Sequence, residues 1–190
     1  ATGYQTPNLD RMAREGIFFS RYYSPQAVCS ASRAGLLTGC YPNRVGISGA
    51  LFPKAKTGVS PEEETIADLL KKKNYKTLAV GKWHLGDHPT MMPTAQGFDE
   101  YLGIPYSNDM WPFNNDNTRA TPETNKTRAS LPELPLYHNL EVVREFKSIQ
   151  EQEAITTLYT EKAVQFIKDN RKQPFFLYLA HNLPHVPLAV

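Results

Sequence analysis

The chain has 190 residues, 41% hydrophobic and 21% charged, which suits one folded domain with a real core or part of a larger one. A net charge of +2 excludes the strongly basic balance of a nucleic-acid or membrane-surface binder. The longest apolar run, 175-FFLYLA-180, is too short to span a bilayer, and the opening ATGYQTPNLD carries no leader pattern, so any leader would lie outside this chain.

Thr6 precedes Pro7 at a helix start, and Leu9, Met12 and Ala13 share one face before Gly16. This predicts a short amphipathic helix. Residues 17-IFFSRYY-23 are aromatic and β-branched and predict a strand. The next segment, 27-AVCSASRAGLLTG-39, predicts a helix from about Ser32 to Thr38, capped by Ser30 or Ser32. Residues 60-SPEEETIADLLKKKNY-75 carry a capping serine, an early proline, acids first and lysines last, which predicts the strongest helix of the chain. The apolar strand 75-YKTLAVG-81 follows it.

Residues 104–140 are rich in Pro, Asn, Asp and Thr without a period, and read as long loops or an insertion over a functional face. A long helix is expected over about 150–170, and 175-FFLYLA-180 reads as a buried strand. The alternation predicts an α/β layered domain with a largely parallel sheet. In such sheets, ligands sit beyond the carboxyl ends of the strands. The strand exits here lead to Cys29, to 81-GKWHLG-86 and to 181-HNLPHVP-187, which together suggest one site.

The two cysteines, Cys29 and Cys40, cannot form a disulfide scaffold, and a bridge across the predicted helix is awkward because bridged Cα atoms lie within about 7 Å. Cys29 can therefore be a packing residue, a thiol nucleophile at a helix start beside Arg33, or a modified residue. Its small neighbours, Ser30, Ala31 and Ser32, leave room for something to approach. Strand alternation would send Lys82 and His84 to one side and Trp83 into the core. His185 lies in the stiff stretch 184-PHVP-187. His181 competes with it, but zinc spacing is not credible there. Asn125-Lys126-Thr127 is a common sequon with little weight. Met110, Trp111 and Phe113 are a stacking surface or, preferably, loop anchors. Arg33, Lys82, His84 and His185 around Cys29 make a cationic pocket suited to a sulfate, phosphate or phosphonate ester. No cluster of Asp and Glu accompanies them, although a divalent metal would want carboxylates.

Residues 29-CSASRAGLLTG-39 resemble the first signature of the type I sulfatases, cysteine, any residue, proline or alanine, any residue, arginine. The segment 81-GKWHLG-86 is similar to the second signature. Further similar stretches are 5-QTPNLDRMAREG-16, 97-GFDEYLGIPYSND-109 and 175-FFLYLAHNLPHVP-187, and 103-GIPYSND-109 resembles the arylsulfatase A branch.

The resemblance implies an alkaline-phosphatase-like α/β/α sandwich and a sulfuric ester hydrolase. It implies that Cys29 is oxidised to Cα-formylglycine, whose aldehyde hydrate attacks sulfur and whose second hydroxyl expels sulfate. Arg33 and His84 would stabilise the hydrate, and Lys82, His185 and Ser107 would bind the sulfate, with Lys82 or a histidine assisting the leaving oxygen. A calcium or magnesium ion would bind the hydrate of Cys29. The implied partners are a sulfated small molecule or glycan and a formylglycine-generating or anaerobic sulfatase-maturating enzyme, in a periplasmic, secreted or lysosomal setting, without nucleic acid or a membrane span.

Ala31 stands where proline is commoner, which leaves the maturation route open. By the same resemblance, the paired aspartates of a first strand lie about twenty residues before Pro7. An Asp-Asn metal pair, a further lysine and a small C-terminal domain lie beyond Val190. The chain thus reads as the middle of a sulfatase catalytic domain. The alternatives are a phosphonate or phosphate ester hydrolase of the same superfamily, and a non-catalytic fragment or unmodified binder of sulfated ligands.

Overall fold

The computed structural model describes residues 3–114 and 116–189. Its elements run α1 (Pro7–Glu15), α2 (Cys29–Thr38), α3 (Ile66–Lys71), β1 (Lys76–Gly81), β2 (Glu100–Gly103), α4 (Pro122–Ala129), β3 (Leu134–His138), β4 (Glu141–Phe146), α5 (Ile149–Glu153), α6 (Ile155–Asn170) and β5 (Phe175–Ala180). The strands form one sheet in the order β4-β3-β2-β1-β5. One side of it is parallel, with β1 flanked by β2 and β5. An antiparallel hairpin, β3–β4, continues it beyond β2.

β1 is the axis of the domain. It is buried from Thr77 to Gly81, as a strand covered on both faces must be. Its alternation divides two cores. Ala79 joins Ala31, Ala34 and Leu37 of α2, Ala67 of α3, and Trp83. Leu78 and Val80 join Ile155 and Tyr159 of α6 with Leu134 and Leu136 of β3. Helices thus cover both faces, giving the α/β/α layering. Two glycines permit the close approach of the strand ends. A Cβ on Gly81, at φ 109°, would strike the Ala180 carbonyl, and one on Gly103 would strike the Gly81 carbonyl.

Several elements differ from expectation. Residues 17–23 form no strand. Ile17, Phe18, Phe19, Tyr22 and Tyr23 are all at least 70% exposed, because no described strand supplies the ladder partner that a strand requires. The helix expected over 60–75 is only α3. Thr65, not Ser60, caps it, in a reciprocal capping box with Asp68. The helix expected over 150–170 is divided at Ala154 into α5 and α6. The stretch 104–140 is not a structureless loop, since α4 and β3 lie within it. Trp111 and Met110 are buried there, which makes them anchors, and Trp111 packs on Phe113 with ring centroids 4.8 Å apart.

Candidate active site

α2 starts at Cys29 itself. Val28 is the N-cap and supplies no side-chain cap, whereas Gly39 closes the helix in the left-handed conformation. The expected caps have other work. Ser32 accepts a hydrogen bond from Ser24 Oγ at 2.7 Å. Ser30, fully buried, accepts from the Leu51 amide at 3.0 Å. Leu51 in turn offers its carbonyl to His84 Nε2, 2.8 Å away. The residue after Cys29 thereby fixes, through one intermediary, the imidazole two residues beyond Lys82.

Lys82, Trp83 and His84 lie past the end of β1, and strand alternation does not orient them. Backbone hydrogen bonds do. Lys82 N donates to Ala180 O at 2.8 Å, Trp83 N to Ile104 O at 3.0 Å, and His84 N to Pro105 O at 3.0 Å. His84 then adopts φ 61°, a left-handed conformation uncommon for a non-glycine residue. Trp83 is buried as expected, with Nε1 donating to Met91 O at 2.8 Å and its ring edge-on to Phe98.

Lys82 is only 2% exposed, which rules out a solvated surface lysine. Its Nζ donates to Ser107 Oγ at 3.1 Å. Burial lowers its pKa; Cys29 opposes this through charge and a hydrogen bond, and Arg33 adds to it. Arg33 Nη1 donates to the Lys82 carbonyl at 2.5 Å and to Tyr178 Oη at 3.1 Å. Burial and then the Lys82 charge push His84 down to about 3, so the imidazole is neutral near pH 7. With Nε2–H spent on Leu51, its Nδ1 is a buried acceptor without a partner.

Cys29, Arg33, Lys82, His84 and Ser107 are therefore brought together. His185 joins them less directly. Its Nδ1 donates to Val186 O at 2.6 Å and lies 3.9 Å from Asp109 Oδ1. Asp109, which sequence reasoning passed over, is the carboxylate whose charge acts on both Lys82 and His84. Tyr178 was also passed over, and His181 was set aside in favour of His185. Tyr178 and His181 line a cleft of about 490 Å³ with Cys29, Ser32 and Arg33. Tyr178 stands in 175-FFLYLAHNLPHVP-187 and Asp109 in 103-GIPYSND-109, so both lie in stretches the sequence already singled out, but neither was assigned a role there. A second cavity of about 440 Å³ lies among Lys76, Glu100, His138 and Lys162, at the amino ends of the strands. The rule for parallel sheets favours the cleft at the carboxyl ends, where Cys29 stands. Cys29 and Cys40 are both free thiols, without a bridge.

These features define an α/β domain with an oxyanion-suited cationic site at the carboxyl ends of its parallel strands. A family model described as Sulfatase matches residues 1–190, and the chain belongs to the sulfatase family. It is similar to N-acetylgalactosamine-6-sulfatase of Homo sapiens, 40% identical over 97% of this chain and 35% of the relative. Arylsulfatase G of Homo sapiens is 37% identical over 97% of this chain and 37% of its own length. The chain thus spans little over a third of the curated relatives it matches. Among solved structures, the PsFucS1 sulfatase from Pseudoalteromonas sp. aligns with TM-score 0.80 at 33% identity, covering 96% of this chain and 39% of its own. Ps i-CgsB in complex with k-i-k-neocarrahexaose aligns with TM-score 0.72 at 35% identity, covering 96% and 40%.

Proposed function

We propose that residues 1–190 are part of the catalytic domain of a sulfuric ester hydrolase, with Cys29 converted to formylglycine. The observation that carries this reading is the convergence of Arg33, Lys82 and His84 on Cys29 at the carboxyl ends of β1 and β5, in a chain of the sulfatase family.

The site fits a converted Cys29. The side chain heads a helix beside a cleft and acts on the Lys82 ammonium through charge and a hydrogen bond, and His84 Nδ1 is a buried acceptor without a partner. When present, the aldehyde hydrate supplies a nucleophilic oxygen for sulfur and a second hydroxyl that lets sulfate leave. Neutral His84 holds or takes a hydroxyl proton at Nδ1. Lys82 and Ser107 bind sulfate oxygens, the ammonium compensating charge that grows toward the transition state. Arg33 fixes the Lys82 backbone and adds positive charge. His185, oriented toward Asp109, binds sulfate from the other side and protonates the leaving alcohol.

A calcium or magnesium ion remains the expectation for the family, with formylglycine at position 29 among its ligands. Among the described residues, no three His, Cys, Asp or Glu side chains cluster to hold a metal. These residues do not fit a metal by themselves, and the roles above belong to this chain's own side chains. The substrate is a sulfated glycan or small molecule, in keeping with relatives named for N-acetylgalactosamine 6-sulfate and a neighbour bound to a neocarrahexaose. A maturating enzyme would convert Cys29, and the setting is periplasmic, secreted or lysosomal. No helix among the described residues is long and apolar enough to cross a membrane.

The test joins mass spectrometry of the Cys29 peptide with turnover of matched aryl sulfate and aryl phosphonate by the full-length protein. Formylglycine with preferred sulfate turnover supports the proposal. Preferred phosphonate turnover supports the other superfamily chemistry, and an unmodified cysteine without turnover supports a binding protein.

A further inference from the structure

We infer that Asn108 and Gln152 form a buried positioning pair that holds Ser107 and His185 on opposite sides of one oxyanion. The inference rests on the reading of this site as a sulfate ester pocket.

Asn108 is 2% exposed and stands between Ser107 and Asp109 on the exit from β2. Gln152, 3% exposed, comes from α5. The two amides answer each other. Asn108 Nδ2 donates to Gln152 Oε1 at 3.3 Å, and Gln152 Nε2 donates back to the main-chain carbonyl of Asn108 at 3.3 Å, while Asn108 Oδ1 is buried without a partner. Asn108 Nδ2 also donates to Pro187 O at 3.3 Å, two residues beyond His185. A buried amide left unpaired is costly, so these partners define where each segment can sit.

Three segments distant in sequence meet at this pair: the β2 exit, α5 and the β5 exit. Ser107, next to Asn108, receives the Lys82 ammonium. Asp109, on its other side, faces His185 at 3.9 Å. Among the described residues, the Asn108–Pro187 bond is the hydrogen bond joining the 104–109 segment to the 181–189 segment. Both segments are irregular, so no ladder sets their separation. Both amides are uncharged. Their removal changes the placement of Ser107 and His185 without changing the charge of the site, and a displacement on the order of 1 Å is enough to cost catalysis heavily.

The experiment uses the full-length, matured enzyme with an aryl sulfate and with inorganic sulfate as competitive inhibitor. Gln152→Met keeps the shape and removes both of that side chain's hydrogen bonds. It should raise KM and the sulfate inhibition constant about tenfold or more and lower kcat as well, since the displaced His185 also protonates the leaving alcohol. In a cycle with Ser107→Ala, the second substitution should add little to the first, because the positioned group is already gone. Asn108→Ala carries the same test should Gln152→Met not fold. An active wild type whose folded variants keep KM and sulfate inhibition, or whose effects simply add with Ser107→Ala, overturns the inference alone. A formylglycine-bearing wild type that turns over no sulfate ester overturns the reading of the site, and the inference with it.

Discussion

The guanidinium of Arg33 donates to the main-chain carbonyl of Lys82 across 2.5 Å, so α2 holds the backbone just past β1. The same nitrogen reaches Tyr178 Oη at 3.1 Å on β5. One side chain thus ties the Cys29 helix to the exit of β1 and to β5, and faces the cleft.

Arg33→Lys should not rescue this arrangement. A lysine offers a compact charge in place of a planar fork and cannot hold both acceptors in this geometry. Stability should fall by about 1–3 kcal/mol, the cost of leaving a buried carbonyl without its donor. Denaturant unfolding measures this, and turnover by the full-length enzyme should drop at least about 100-fold. Wild-type turnover in Arg33→Lys would show that charge alone suffices.

Cys29→Ala should abolish turnover with a stability change within about 1 kcal/mol. The residue is only partly buried and sits among small neighbours. Activity assays and thermal unfolding of the same preparation check this. A fully active Cys29→Ala enzyme would remove the nucleophile assignment altogether.

Trp83→Ala should cost about 3–5 kcal/mol through the cavity it leaves against Phe98 and the loss of a donor to Met91 O. Unfolding in denaturant is the measurement. An unchanged midpoint would contradict the burial of this ring.

His84 makes stability depend on pH. Its pKa falls from 6.5 in the unfolded chain to about 3 in the fold, so below 6.5 the unfolded state binds the extra proton. The stabilisation is fully present above about 6.5 and is lost as pH falls toward about 3, at up to about 1.4 kcal/mol per pH unit. Stability against pH for wild type and His84→Gln should therefore differ in slope across that window, with wild type the steeper. Parallel curves would mean that the imidazole is not held neutral.

The N-terminal 17-IFFSRYY-23 marks where sequence reasoning stops. Its composition favours a strand, but a strand exists only through its neighbour's hydrogen bonds, and those residues lie exposed without one. At 60–75 a charge pattern suggested a long helix, yet the reciprocal Thr65–Asp68 cap starts it later. β1 was legible because a continuous apolar run reports burial directly, whereas 175-FFLYLA-180 gave the strand β5 but not its burial: β5 ends the described sheet and is half-buried, with Leu179 exposed.

The sequence by itself determined the family and the strands β1 and β5, and it marked Cys29, Arg33, Lys82, His84, Ser107 and His185 as candidates, since each stands in a local stretch of recognisable spacing. Only the tertiary structure decided how they meet. Lys82 and His84 share one site through bonds to Ala180, Ile104 and Pro105 and a left-handed turn, not through strand alternation. Asn108, Asp109 and Tyr178 stand in stretches the sequence singled out, but their partners Gln152, His185 and Arg33 come from segments far apart in the chain, and only the fold shows those pairings. Local spacing records what a residue can do, whereas burial and long-range hydrogen bonds determine which charge is felt, which acceptor stays open and which loops are held together.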